Sequence, residues 1–88
     1  LDHKATRVAC RAERAFLKGL GGGCLVPIAA HAVLSENSLR LSGLVADPSG
    51  ERVVRGEELG SVEEPDQIGL QLAEDLLSRG ADKILGRG

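Results

Sequence analysis

Val26-Pro27-Ile28-Ala29-Ala30-His31-Ala32-Val33-Leu34-Ser35-Glu36-Asn37-Ser38-Leu39-Arg40-Leu41-Ser42-Gly43-Leu44-Val45 is the stretch that decides the fold. Val26, Ile28, Ala30, Ala32 and Leu34 alternate with Ala29, His31 and Val33. A period of two with apolar residues on both faces predicts a strand. Pro27 excludes a central helix position. Ser35 to Ser38 reads as a turn, and Leu39, Leu41 and Val45 begin a second strand. Gly43 lies on their face, where a glycine marks a bulge or a close backbone approach. So short a connection favours antiparallel neighbours.

Downstream, Asp47-Pro48-Ser49-Gly50 has the chemistry of a tight turn: Asp to start it, Pro to preset φ, Gly for the left-handed position. A third strand is expected near Glu51 to Glu57, with Val53 and Val54 facing opposite sides and Gly60 breaking it. Ser61-Val62-Glu63-Glu64 has capping-box spacing, although Pro65 suits a first helical turn and places the cap beside itself. Ile68, Leu72, Ala73, Leu76 and Leu77 form the apolar face of a second helix, and Gly80 caps its end. Upstream, at about 100° per residue, Ala5, Val8, Ala9, Ala12, Phe16 and Leu20 fall on one face of a helix from about Lys4 to Leu20. Gly19, Gly21, Gly22 and Gly23 stop it. The predicted fold class is α+β: α-β-β-β-α, a three-stranded antiparallel sheet with two helices packed on one face, residues 1–88 forming a single domain.

Composition narrows the function. The 88 residues are 42% hydrophobic and 27% charged, the balance of a globular domain. Phe16 stands alone, with no Trp, Tyr or Met, so base-stacking nucleic-acid platforms are nearly excluded. No apolar run approaches the roughly 20 residues of a membrane span, and no signal peptide opens the chain. Cys10 and Cys24 are too few for a disulfide scaffold or a four-thiolate zinc site, so a cytoplasmic location is the default. A chain opening on Leu1 reads as a piece of something longer.

Charge is unevenly placed. Lys4, Arg7, Arg11, Arg14 and Lys18 make a basic stripe on the first helix, as a solvated face does. Glu57, Glu58, Glu63, Glu64, Asp66, Glu74 and Asp75 make the stretch from Gly56 to Ser78 acidic throughout. Acids at the start of the second helix also complement its dipole.

Cys24 carries the chemistry worth weighing. It follows three glycines in a helix-to-strand loop, where free backbone N–H groups can face an anion and a bulky group can approach. Spacing alone is equally consistent with a buried structural thiol. Cys10, off the main apolar face, reads as structural or surface. His3 and His31 have no metal-ligand spacing with the cysteines, and no metal site is expected. Seven residues of strand separate Cys24 from His31 by roughly 23 Å, which leaves His31 a sheet-face residue. The glycines are no phosphate loop, since no Lys-Ser/Thr follows and the order is helix to strand.

Ala12-Glu13-Arg14-Ala15-Phe16-Leu17 followed by Gly22-Gly23-Cys24-Leu25-Val26-Pro27-Ile28 resembles the C-terminal domain of the porphobilinogen deaminase (hydroxymethylbilane synthase) family. Leu1-Asp2-His3, Val54-Arg55-Gly56-Glu57 and Leu72-Ala73-Glu74-Asp75-Leu76-Leu77-Ser78-Arg79-Gly80-Ala81 match the same domain in order. The resemblance implies a transferase of tetrapyrrole (heme) biosynthesis that joins four porphobilinogen molecules into hydroxymethylbilane. It implies a dipyrromethane cofactor, the primer, held by a thioether to Cys24. It also implies that the catalytic aspartate and the carboxylate-binding arginines belong to two preceding domains of a three-domain enzyme. These domains and porphobilinogen are the expected partners, no catalytic residue is expected in this chain, and the isolated domain is expected to be inactive.

Two other readings share the element order. A double-stranded RNA-binding-like module would need lysines at the second helix N-terminus, where Glu63, Glu64 and Asp66 stand instead, so no nucleic-acid partner is expected. A protein-docking module overlaps with the cofactor-bearing domain, because a cofactor arm must also dock.

Overall fold

The computed structural model describes residues 3–21 and 26–85. Helix α1 (His3–Gly19) leads to strands β1 (Ile28–Ser35), β2 (Ser38–Ala46) and β3 (Val53–Ser61), then helix α2 (Pro65–Leu76). A wide turn over Leu77–Ala81 and one helical turn, α3 (Asp82–Ile84), follow. The strands are antiparallel and lie in the order β1-β2-β3. Helix α1 packs chiefly over β1 and α2 over β3, side by side on one face of the sheet. The α+β arrangement read from the sequence is the one observed.

The core follows from the two periodicities. Ala12, Phe16 and Leu20 come from α1, Leu39, Leu41 and Val45 from β2, and Ile68, Leu72, Ala73 and Leu76 from α2; all are buried. Among the strands only the central one supplies fully buried side chains, because both of its neighbours shield it. Gly43 is not a bulge: the register runs through it unbroken, Ala30 to Gly43 to Gly56. A Cβ there would lie 2.6 Å from Phe16 Cζ and 2.9 Å from Leu72 Cδ2. The ring of the single aromatic residue therefore sits on a glycine.

Three other expectations need correction. Strand β3 begins later than expected, at Val53, and Gly60 does not break it but pairs with Leu39. Its missing side chain makes room for Ile68, whose Cδ1 lies 2.7 Å from where a Cβ would be. The capping box does not form. Glu63 N donates to Ser61 Oγ (3.1 Å) and Glu64 N to Ser61 O (3.1 Å), closing a turn, and α2 starts at Pro65 with no side-chain cap. The basic stripe is exposed at Arg7, Arg11, Arg14 and Lys18, as a solvated face is, and it also ties the helices together. Arg11 grips Asp66 with Nη2 at 2.8 Å and Nε at 3.3 Å, joining α1 to the first turn of α2.

The helices approach closely where side chains are smallest. A Cβ at Gly69 would lie 2.4 Å from Ala12 O and 2.7 Å from Ala15 Cβ; one at Gly19 would lie 2.7 Å from Ala73 Cβ. Both free edges of the sheet are also met by a helix side chain. Ala32 N on β1 donates to Glu13 Oε2 (3.1 Å), and Arg79 Nη1 donates to Arg55 O on β3 (3.2 Å). Asp75, 2.8 Å from Arg79, steadies that second contact.

Candidate functional site

The candidate site is the connection from α1 to β1. Cys24, with residues 22–25, lies outside the described residues; both ends of the connection are described. On the α1 side Leu20 is buried, and its N–H donates to Phe16 O (3.1 Å). Gly21 takes φ 83°, a left-handed conformation that closes the helix, with its N–H on Lys18 O at 2.9 Å. On the β1 side Val26 is half-buried against the core, and Pro27 O accepts Ala46 N (2.9 Å) one residue before the strand. The Glu13 to Ala32 hydrogen bond couples the two elements that the connection leaves and enters. Its two ends are therefore anchored independently of the residues between them.

The remaining candidates are spread apart. Cys10 is an exposed free thiol on α1. An α-helix rises about 1.5 Å per residue, so Cys10 stands about 13 Å along the axis from the Gly19 end. His31 is exposed on the outer face of the sheet, in register with Ser42 and, beyond it, Glu57. Ser42 Oγ donates to Glu57 Oε2 (3.2 Å), and these side chains border a shallow depression of about 420 Å³. Among the described residues no group of three His, Cys, Asp or Glu could hold a metal ion.

The electrostatics of the described residues are those of a scaffold. Buried polar or charged side chains are absent among them. Ser49, through its amide and then its hydroxyl, holds the Asp47 carboxyl below the usual carboxylate range, which serves the β2–β3 turn. Asp66, by hydrogen bond and then by charge, raises the affinity of Arg11 for its proton. Active sites instead pair burial with opposed charges to tune an acid or base. None of the described side chains is so placed.

Three structural residues were missed by reading the sequence. Glu13, which is in neither the apolar set nor the basic stripe of α1, accepts the N–H of Ala32 at the β1 edge. Arg79 donates to Arg55 O at the β3 edge. Gly69 did carry a signal: a lone glycine inside an apolar helical pattern marks a close approach.

Residues 7–78 match the family model described as porphobilinogen deaminase, C-terminal domain. The chain is 55% identical over 85 residues to the porphobilinogen deaminase of Carboxydothermus hydrogenoformans. It is 50% identical over 86 residues to that of Nitratidesulfovibrio vulgaris and 45% over 85 residues to that of Prochlorococcus marinus. Each match covers 97% of this chain but only 27% of the relative. The matched span includes the glycine–cysteine connection and both elements that anchor it, and on that ground the chain belongs to the porphobilinogen deaminase family as its C-terminal domain.

Proposed function

We propose that this domain carries a dipyrromethane primer by a thioether to Cys24, in an enzyme that condenses four porphobilinogen molecules stepwise into hydroxymethylbilane. The observation carrying the reading is a thiol in a glycine-flanked connection, Gly22-Gly23-Cys24, whose ends are pinned by buried Leu20 and by the Pro27–Ala46 hydrogen bond. The donor chemistry fits the group, since a thioether needs one soft sulfur nucleophile and an approach free of bulk. Glycines on one side of Cys24 supply that space.

Cys24 would hold the primer through a C–S bond from its sulfur to a pyrrolylmethyl carbon, the electrophile that loss of ammonia from a pyrrolylmethylamine provides and that a soft thiolate suits. When bound, the dipyrromethane supplies the pyrrole end at which the chain is extended. The chain's own residues have a holding task. Leu20 and Pro27 fix where the tether is rooted, while Gly22 and Gly23 leave room for what it bears. Side chains that move protons or bind acetate and propionate groups belong, on this reading, to the two preceding domains. The domain alone is then inactive.

The test is intact-mass measurement of the full-length enzyme expressed in cells. A two-pyrrole adduct that maps to Cys24 and is lost in Cys24→Ser is the expected result. Active full-length enzyme with an unmodified Cys24 thiol overturns the proposal.

A further inference from the structure

Among the described residues no helix lies over the outer face of the sheet, and on that face exposed aliphatic side chains stand among His31, Ser42, Arg55 and Glu57. Across the three strands the register sets Val33 beside Arg40 beside Leu59. Leu59 is 69% exposed, Val33 38% and Val53 44%. Between two of these aliphatic groups, Arg40 on the central strand has no ion-pair partner among the described residues. A guanidinium flanked across the strands by two exposed aliphatic side chains, with Ser38 and Ser42 along its own strand, has the composition of an interface anchor.

We infer that this face packs against the rest of the enzyme's own polypeptide, on an apolar surface that offers Arg40 a carboxylate. The size of the face selects the occupant. Strands about 4.8 Å apart and rising about 3.4 Å per residue give three strands, the longest of nine residues, a face of about 14 × 30 Å. Counted on both partners, that buries on the order of 800 Å². Contacts between domains of one chain bury about 600–1,500 Å² and are more polar than obligate interfaces. Stable association of separate chains takes about 1,200–2,000 Å². A tethered partner needs less area, because the covalent link supplies the effective concentration. Such a partner exists in the family: the chain spans 27% of its relatives' length, so most of each relative lies outside this domain.

The inference rests on family membership and on the length of its members, and stands or falls separately from the fate of Cys24. Hydroxyl-radical footprinting of the full-length enzyme tests it, at a concentration where sedimentation shows a monomer. Leu59 and Leu70 have the same intrinsic reactivity, and in the domain Leu59 is the more exposed, 69% against 45%. Docking reverses that order, and Leu59 is labelled about fivefold less than Leu70. Labelling of Leu59 above Leu70 overturns the inference. Protection seen only where the enzyme dimerises also overturns it, in favour of a second copy. Arg40→Glu in the full-length enzyme raises Leu59 labelling about threefold or more; unchanged labelling removes Arg40 as the anchor.

Discussion

The pairing of Phe16 with Gly43 explains how a domain with one aromatic residue fills its core. A phenyl ring needs depth that an alternating strand of Leu and Val does not leave, and the missing Cβ of Gly43 provides it. Gly43→Ala should therefore cost about 1–3 kcal/mol by overpacking, and Phe16→Ala about 3–5 kcal/mol by leaving a cavity. Denaturant unfolding of each variant measures both. A second position is adjustable in the other direction. Glu36 holds φ 53° in the β1–β2 turn, a left-handed conformation costing an L-residue about 1–2 kcal/mol, part of which glycine forfeits as chain entropy. Glu36→Gly should stabilise by about 0.5–1 kcal/mol in the same assay. Asp47 gives a pH signature. Its carboxyl is held low in the folded chain by Ser49, so its contribution is complete above the ordinary aspartate range and lost as pH falls through the lowered value. A carboxyl NMR titration should place Asp47 below an unfolded-chain aspartate, and replacing Ser49 with glycine should move it up while keeping only the amide contact.

At the scale of elements, the contact between α1 and α2 is the least tolerant. A Cβ at Gly69 would meet Ala12 O and Phe16 N, backbone atoms that cannot rotate away. Gly69→Ala should push the helices apart and cost about 3 kcal/mol or more, beyond the overpacking at Gly43 where a ring can tilt. Thermal unfolding of the two variants side by side checks the ranking. Element type and order were legible in the sequence because periods of two and 3.6 are properties of spacing. The end of β3 was not; the start of α2 was legible in Pro65, which opens the helix with Glu64 as its cap position, and not in the capping-box spacing. Gly60 and Ser61 have the local chemistry of a break and a cap, but pairing with Leu39 and packing of Ile68 override it. Local preference is worth about 1 kcal/mol or less at such positions, and tertiary contacts exceed it.

For the whole molecule, the site was legible in a different sense from the fold. Cys24 stands out by composition, one thiol after three glycines, and spacing alone left it as open to burial as to reaction. The resemblance over Gly22-Gly23-Cys24-Leu25-Val26-Pro27 pointed further than any physical property of those residues. What no pattern in the sequence exposed is the set of long-range contacts anchoring the connection, since Glu13 and Ala32 are nineteen positions apart. Glu13→Ala should free the N–H of Ala32 and loosen β1. Hydrogen exchange at Ala32 should then quicken by about tenfold, whereas Glu13→Gln, which keeps an acceptor, changes it little.

The contacts of Glu13 and Arg79 at the two borders of the sheet have a consequence for assembly. A three-stranded sheet with open borders is a template on which another chain can continue hydrogen bonding, by domain exchange or fibril growth. Here one group at each border is engaged by a side chain, Ala32 N by Glu13 and Arg55 O by Arg79, so a strand continuing the ladder at either border has to displace that contact first.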